Sequence, residues 1–503
     1  MANLTTGVPS PTGGWVTSKA LDSMLPNEAL TLDNYIPNSL NVKLRNGSAN
    51  HFTGIGGQVE SLMEFNNGAT SKLLVAGNSS IFDGTIEGTA SSALTYASAT
   101  AANFYTSDKW QHVMFKGHLF ACNGEDKSID FDGTSIQDTA WTGVDTKELK
   151  QVAVFKNRLY FVQKDTASFW YAPADSLFGA LTEFDLSTVA PNGGKLVSVA
   201  SFTRDGGDGS DDLFVAIFET GDVILYQGDD PSDADNWSLV GRYVIAAPIG
   251  DRCVIQVGGD LTVITEDGYI SLGTVIGYAR SRSDMTLSAN ISNYIRDLAG
   301  RTRDNFGWQP VLYYRGGYLV FNAPTSKTQN KFEQHCVNMV NGSWCRLTGL
   351  NGLCWTTFQN DLYFGDEDGN VVKADVGDND RGSNIQGHIE TSFNYFESRG
   401  VLKQFSQMRP LFRVKGVVPV QIGMNTDFRE TGVPYITPSV ASIGTPWGSP
   451  WGSPWSAVTT NVLEWRSVSA PAGYCASFIL KTECQAEFVE LNSIDVLFEQ
   501  GAG

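Results

Sequence analysis

Carboxylates crowd one short segment of the chain, Asp205-Gly-Gly-Asp208-Gly-Ser-Asp211-Asp212. Acidic side chains on a flexible loop could hold Ca²⁺, a hard cation that takes oxygen ligands. The spacing is not that of a helix–loop–helix calcium loop, and no downstream Glu closes it. The segment therefore reads first as a polar turn, or as charge on the wall of a channel. Asp366-Glu-Asp-Gly369 and Asp229-Asp230 read as acidic hairpin turns. Three tryptophans, Trp447, Trp451 and Trp455, recur in Thr445-Pro-Trp-Gly-Ser-Pro-Trp-Gly-Ser-Pro-Trp455. Pro and Gly at this density form a loop, not a ladder. Its indoles could dock onto another chain, stack on sugar rings, or fold back on their own domain. The histidines, at positions 51, 112, 118, 335 and 388, are scattered. His112 and His118 could share a hairpin, but no nearby Cys or Glu completes a ligand set. The cysteines include no CxxC pair and read as buried free thiols. Nucleophile elbows, zinc-protease helices and phosphate-binding loops are missing. Gly54-Ile-Gly-Gly57 carries no Lys and precedes no helix. Nothing in the sequence pairs two carboxylates for glycoside cleavage. No catalytic residue, metal or cofactor is expected.

The chain that must hold these residues has 503 residues, with 54 acidic against 35 basic side chains and a net charge of −19. Such a balance argues against a protein that grips nucleic acid, which needs a basic footprint. It suits a surface past which DNA slides without sticking. With 52 glycines, 11% aromatic and 18% charged residues, the composition is that of an all-β protein rich in tight turns. The opening residues lack the basic-then-apolar pattern of a signal peptide. No apolar run is long enough for a membrane helix, so no membrane segment is expected.

One unit recurs: an apolar strand, a tight turn, a second strand of Leu-aromatic-Phe/Val type, then another turn. It is seen at Lys72–Gly84, Val113–Gly124, Val152–Val162, Leu213–Tyr226, Val254–Gly268, Val311–Phe321 and Trp355–Gly369. The spacing predicts a β-propeller over residues 56–384, of about six to eight blades. Phe120, Tyr160 and Tyr363 would fill the space between blades. Residues 1–55 read as an extended arm with short strands. Residues 385–503 read as longer antiparallel strands of a β-sandwich or barrel that carries the Trp-rich loop 445–455. A single helical stretch is expected from Met285 to Arg303, with Leu287, Ile291, Ile295 and Leu298 on one face.

An ordered string of segments resembles a family of phage and prophage structural proteins. It opens with Gly13-Gly-Trp15, Met24-Leu-Pro26, Leu32-Asp-Asn-Tyr-Ile-Pro37 and Val42-Lys-Leu-Arg-Asn-Gly47. Trp110-Gln-His-Val113, Phe155-Lys-Asn-Arg-Leu-Tyr-Phe161, the segment from Thr203 to Asp212, and Tyr226-Gln-Gly-Asp-Asp-Pro231 follow. Gly258-Gly-Asp-Leu261, Thr265-Glu-Asp-Gly268, Phe306-Gly-Trp308, Asn338-Met-Val-Asn-Gly-Ser-Trp344 and Leu362-Tyr-Phe-Gly365 complete it. The chain is similar in this to the tail nozzle (tail tubular protein B-like) proteins of short-tailed, podovirus-like phages. The resemblance implies a virion component assembled in the host cytoplasm as a homo-oligomeric ring, a hexamer. The ring would sit below the portal adaptor, meet tail fibres or spikes, and let DNA pass without specific binding. On this expectation the arm 1–55 joins residues 385–503 as the platform, Asp205, Asp208, Asp211 and Asp212 face the lumen or a loop, and Trp447, Trp451 and Trp455 contact a neighbouring subunit. The alternative expectation is a receptor-binding, lectin-like propeller on the tail.

Overall fold

The structure is a computed structural model that describes residues 3–94, 105–205, 210–278, 286–415, 418–429, 460–462, 464–468 and 472–501. Its elements are almost all strands, arranged as a β-propeller and a two-sheet platform. The propeller has seven blades among the described residues. Their innermost strands are Val59–Asn66, Gln111–Phe115, Leu149–Phe155, Leu196–Asp205, Val254–Val257, Gln309–Tyr313 and Cys354–Phe358. Each touches the next and the seventh touches the first, so the ring is closed. All seven sequence repeats fall in separate blades.

Local chemistry explains the hairpins. The turns between the first two strands of blades two, three and seven have two successive positive φ angles. These are 49° and 80° at Lys116 and Gly117, 42° and 58° at Lys156 and Asn157, and 50° and 64° at Gln359 and Asn360. Such a turn twists in the same sense as the strands it joins. The second strands are buried on both faces: Leu119–Cys122 and Arg158–Val162 are buried throughout. A blade has a neighbour on each side, which is why strict apolar–polar alternation is lost there.

Apolar clusters lie between blades. Phe65, Leu74 and Ile81 of blade one meet Trp110, Leu119 and Phe131 of blade two. Phe120 of blade two packs with Leu149, Val152, Leu159 and Phe161 of blade three. Tyr160 joins Phe155 and Phe169 to Phe214, Tyr226 and Trp237 of blade four. Tyr363 and Val371 of blade seven meet Val59, Leu62 and Leu73 of blade one. The three aromatics expected between blades are there.

Ring closure corrects the expected domain limit at residue 55. Strand Ser48–Thr53 is not part of the platform; it pairs antiparallel with Val371–Ala374 as the outer strand of blade seven. The expected helix is shorter than its apolar pattern. Leu287 is exposed, Ala289–Ile291 forms a 3₁₀ turn, and the α-helix runs Ser292–Thr302 with Ile295, Leu298 and Ala299 buried. A second helix, Leu272–Tyr278, has two glycines and poor intrinsic propensity. It is held by burial of Leu272 and Val275 and by Asp260, whose Oδ1 accepts from Gly273 N at 2.9 Å.

The platform is a sandwich. Its seven-stranded sheet is built on the antiparallel pair Lys403–Lys415 and Phe488–Gln500, flanked by Asn3–Pro9, Tyr35–Pro37 and Val42–Leu44. The facing sheet has nine strands, and blade six supplies four of them. Its outer strand Trp344–Leu347 meets Glu28–Asp33 in parallel, followed by Ile385–Thr391, Ala476–Cys484 and Val420–Thr426. Phe405, Met408 and Phe412 of one sheet and Ile422, Phe478 and Leu480 of the other share one core. All seven cysteines are buried and free.

Replacing Phe120 by Ala removes a ring that only the inter-blade seam accommodates. The expected loss is about 3–5 kcal/mol of unfolding free energy in urea. Phe178→Ala, at a side chain 67% exposed, is expected to change it by no more than about 0.5 kcal/mol. Equal effects would contradict the seam as the main source of blade cohesion.

Candidate functional site

The innermost strands of the propeller run in a common direction from one face, and their starting ends surround an axial mouth. Blade two contributes Lys109 and Gln111, blade three Lys150, and the segments leading into blades five and six contribute Arg252 and Phe306. They line a cavity of about 530 Å³. A second cavity of about 520 Å³ continues along the axis and shares Gln111, Asp251 and Arg252 with the first. Its wall includes His112, Gln151, Ser198, Ser201 and Gln256.

Arg252 stands where the two cavities meet. Its Nη1 donates to Glu60 O at 3.0 Å, and its Nη2 donates to Ser61 Oγ at 2.6 Å and Trp110 O at 2.9 Å. Among the described residues it forms no ion pair within 4.0 Å. Burial pushes its pKa below the ordinary arginine value. The neighbouring His112 imidazole is held down from 6.5 to about 4, by burial and then by the Arg252 charge.

A second polar cluster lies at the junction of blades five and six with the platform. Tyr269 Oη and His335 Nδ1 are 2.6 Å apart, and His335 Nε2 lies 3.0 Å from Glu333 Oε1. Tyr294 Oη donates to the same Glu333 oxygen at 2.7 Å and accepts from Arg346 Nη1 at 3.0 Å. Arg346 then grips Asp33 with Nε and Nη2 at 2.7 and 2.8 Å. Burial pushes the Glu333 carboxyl up, but the His335 hydrogen bond and the cations outweigh it, and its pKa lies below the ordinary value. His335 and Glu333 are buried and Tyr269 is stacked on Phe321 at 3.7 Å, so the cluster is a structural tie between domains.

The residues singled out in the sequence lie elsewhere. Asp205 and Asp211 sit on the hairpin of blade four, at the end of its innermost strand away from the mouth, and Asp208 lies outside the described residues. Asp212 accepts from Thr203 Oγ1 at 2.7 Å, as a strand-end side chain tied to its partner. Trp447, Trp451 and Trp455 lie outside the described residues. Among the described residues no three His, Cys, Asp or Glu side chains gather as a metal site. His112 and His118 do share a hairpin, and His118 Nδ1 lies 2.8 Å from Asp130 Oδ1. Arg252 carried no motif. Its one sequence signal is a cation placed just before the apolar run of a blade.

Two measurements follow. Arg346→Met removes the guanidinium that Asp33 and Glu333 share, and a loss on the order of 3 kcal/mol is expected in chemical unfolding. Arg301→Met, which breaks an exposed pair with Asp297, is expected to cost no more than about 0.5 kcal/mol. Because the folded pKa of His112 is lowered, the unfolded chain binds more protons between about pH 6.5 and about 4. The contribution of this group is fully present above 6.5 and declines as pH falls through that window. His112→Gln should flatten the stability–pH curve there; an unchanged curve would contradict an imidazole held neutral by its surroundings.

No protein-family description and no curated protein matches the chain. Solved structures do. One is PorZ, an essential bacterial surface component of the type-IX secretion system of Porphyromonas gingivalis. It aligns at 11% identity over 72% of this chain, with a TM-score of 0.41. The chain spans 44% of PorZ, less than half its length. Another is the β-propeller domain of Cps50 (Swd1) from Myceliophteria thermophila, at 12% identity over 64% of this chain and 99% of that one, with a TM-score of 0.41. The computationally designed Ika8 protein aligns over 65% of this chain at 10% identity, with a TM-score of 0.36.

Proposed function

We propose that the protein is a structural component of a short-tailed phage particle, its tail nozzle, and that copies of it close into a ring, a hexamer, below the portal adaptor. The observation that carries this reading is the continuous nine-stranded sheet that makes blade six part of the platform. Such a sheet couples the propeller rigidly to the domain that would build the ring. It accords with the family resemblance, in which a propeller is joined to a β-rich platform. The charge of −19 suits a wall past which DNA slides.

A ring needs a head-to-tail contact between unlike surfaces. Three neighbouring turns at the blade-six end of the platform offer one side of it. Leu40, Val340 and Tyr314 are 86%, 84% and 74% exposed. Asn338 Nδ2 donates to Pro37 O at 2.9 Å and Met339 N to Gly317 O at 2.9 Å, which ties the three turns together. The occupant of this apolar surface in the proposed ring is the next copy of the chain.

Cryo-electron microscopy of intact particles tests the role: a closed ring of this chain around axial DNA beneath the adaptor is expected. A separate peripheral spike would overturn the nozzle reading in favour of a receptor-binding one. For the purified chain, the double substitution Leu40→Glu, Val340→Glu should shift native mass spectra from rings to monomers without changing the circular dichroism spectrum. Intact rings in that variant would exclude this surface as the contact.

A further inference from the structure

We propose that the axial mouth of the propeller is a binding site for a small anionic sugar, one that carries a carboxylate or a phosphate, with Arg252 as its anchoring cation. The site belongs to the propeller alone and does not depend on whether the chain forms a ring.

Charge is the first argument. A guanidinium has five N–H donors, and the contacts of Arg252 to Glu60 O, Ser61 Oγ and Trp110 O use three of them. All three acceptors are neutral. The Nε–H and one Nη1–H remain for a ligand. These two N–H groups point in different directions, so each can donate to a separate oxygen, and a half-buried guanidinium with unused donors is complemented by an oxyanion among its acceptors. Lys109 adds to the same field: its Nζ lies 4.7 Å and the Arg252 guanidinium carbon 5.1 Å from the centroid of one ring, Phe306. Two cations drawn to one aromatic ring repel each other, and an anion at the mouth relieves that repulsion. Lys150 is a third cation. Its side chain is only 16% exposed, and it lies 3.4 Å from Asp251 Oδ1, whose own side chain is 68% exposed.

The carboxylates at the mouth do not fill the anion's place. Glu125 is paired with Lys164, Asp165 lies 2.7 Å from Lys195, and Asp304 lies 3.6 Å from Arg303. The nearest acid to Lys109 is Glu60, at 3.9 Å. The rim acids are thus engaged, Lys109 and Lys150 have one acid neighbour each, Glu60 and Asp251, and Arg252 is the cation at the mouth that has none within 4.0 Å among the described residues.

Size and hydrogen bonding make the ligand a sugar and not a bare ion. A cavity of about 530 Å³ is in the range of small-molecule sites and far larger than phosphate needs. Gln111 donates through Nε2 to Lys150 O at 3.2 Å, and Asn305 through Nδ2 to Ser326 O at 3.0 Å. Both amides are fixed by their nitrogens, which leaves their oxygens to accept from ligand hydroxyls.

Isothermal titration calorimetry of the full chain with D-glucuronate, D-glucose 6-phosphate, D-glucose and inorganic phosphate tests the assignment. At least one anionic sugar should bind about tenfold or more tightly than both glucose and inorganic phosphate, and more weakly as salt rises. The one that binds identifies carboxylate or phosphate as the anionic group. Arg252→Gln should abolish binding. Lys109→Ala, at a partly exposed side chain whose loss should not unfold the chain, should weaken it about tenfold, the effect of one lost charge-assisted contact. Absence of binding by both anionic sugars would overturn the proposal, as would equal binding of glucose or of inorganic phosphate. Affinity that survives Lys109→Ala and Lys150→Met unchanged would place any binding elsewhere and overturn it too.

Discussion

The bidentate pair between Arg346 and Asp33 sits on the seam where a propeller blade becomes part of another domain's sheet. Main-chain pairing there is thin, since the two strands share a single register pair, Asp33 with Arg346. The ion pair supplies the register that the ladder does not. A comparable clamp, Arg45 on Asp380 with Asn34 as a third member, ties the arm to the chain beyond blade seven. Buried charges of this kind add little net stability when paired but fix which arrangement is adopted. Here they fix the orientation of propeller on platform, and the shared core of the two sheets follows from it.

Much of the architecture was legible in the sequence because blades repeat. The Leu-aromatic-Phe/Val strand and its turn are local signals, and each marked a real blade. The inter-blade role of Phe120, Tyr160 and Tyr363 followed from the same pattern. Blade closure was not legible. Ser48–Thr53 pairs with a segment far along the chain, and nothing in Ser-Ala-Asn-His-Phe-Thr says whether its partner is a blade or a platform sheet. Helix Leu272–Tyr278 was hidden for a related reason: it is held by Asp260, a tertiary partner, against its own glycines.

The chemistry-bearing residues were legible only as types. The acidic run from Asp205 to Asp212 stood out by density, yet Asp212 is engaged by its own strand partner Thr203. Arg252, isolated in sequence, is the cation the axial mouth is built around. What singles it out is the set of neutral acceptors from two other blades, Glu60 O, Ser61 Oγ and Trp110 O, and no spacing rule brings those together. A propeller axis is assembled from one strand per blade, so its chemistry is dispersed along the chain by construction.

The pairing of Asn3–Pro9 with Ser493–Glu499, and of Ser48–Thr53 with the last blade, sets a clock on biogenesis. During synthesis the opening strands leave the ribosome long before their partners exist. Blades one to six can stack as they emerge, but the propeller stays an open arc until Val371–Ala374 has been made. The platform sheet lacks one of its two longest strands until Phe488–Gln500 has been made. The surfaces that depend on both domains therefore come into being only after Phe488–Gln500 has been made, and a chain that stops short of it has no finished platform.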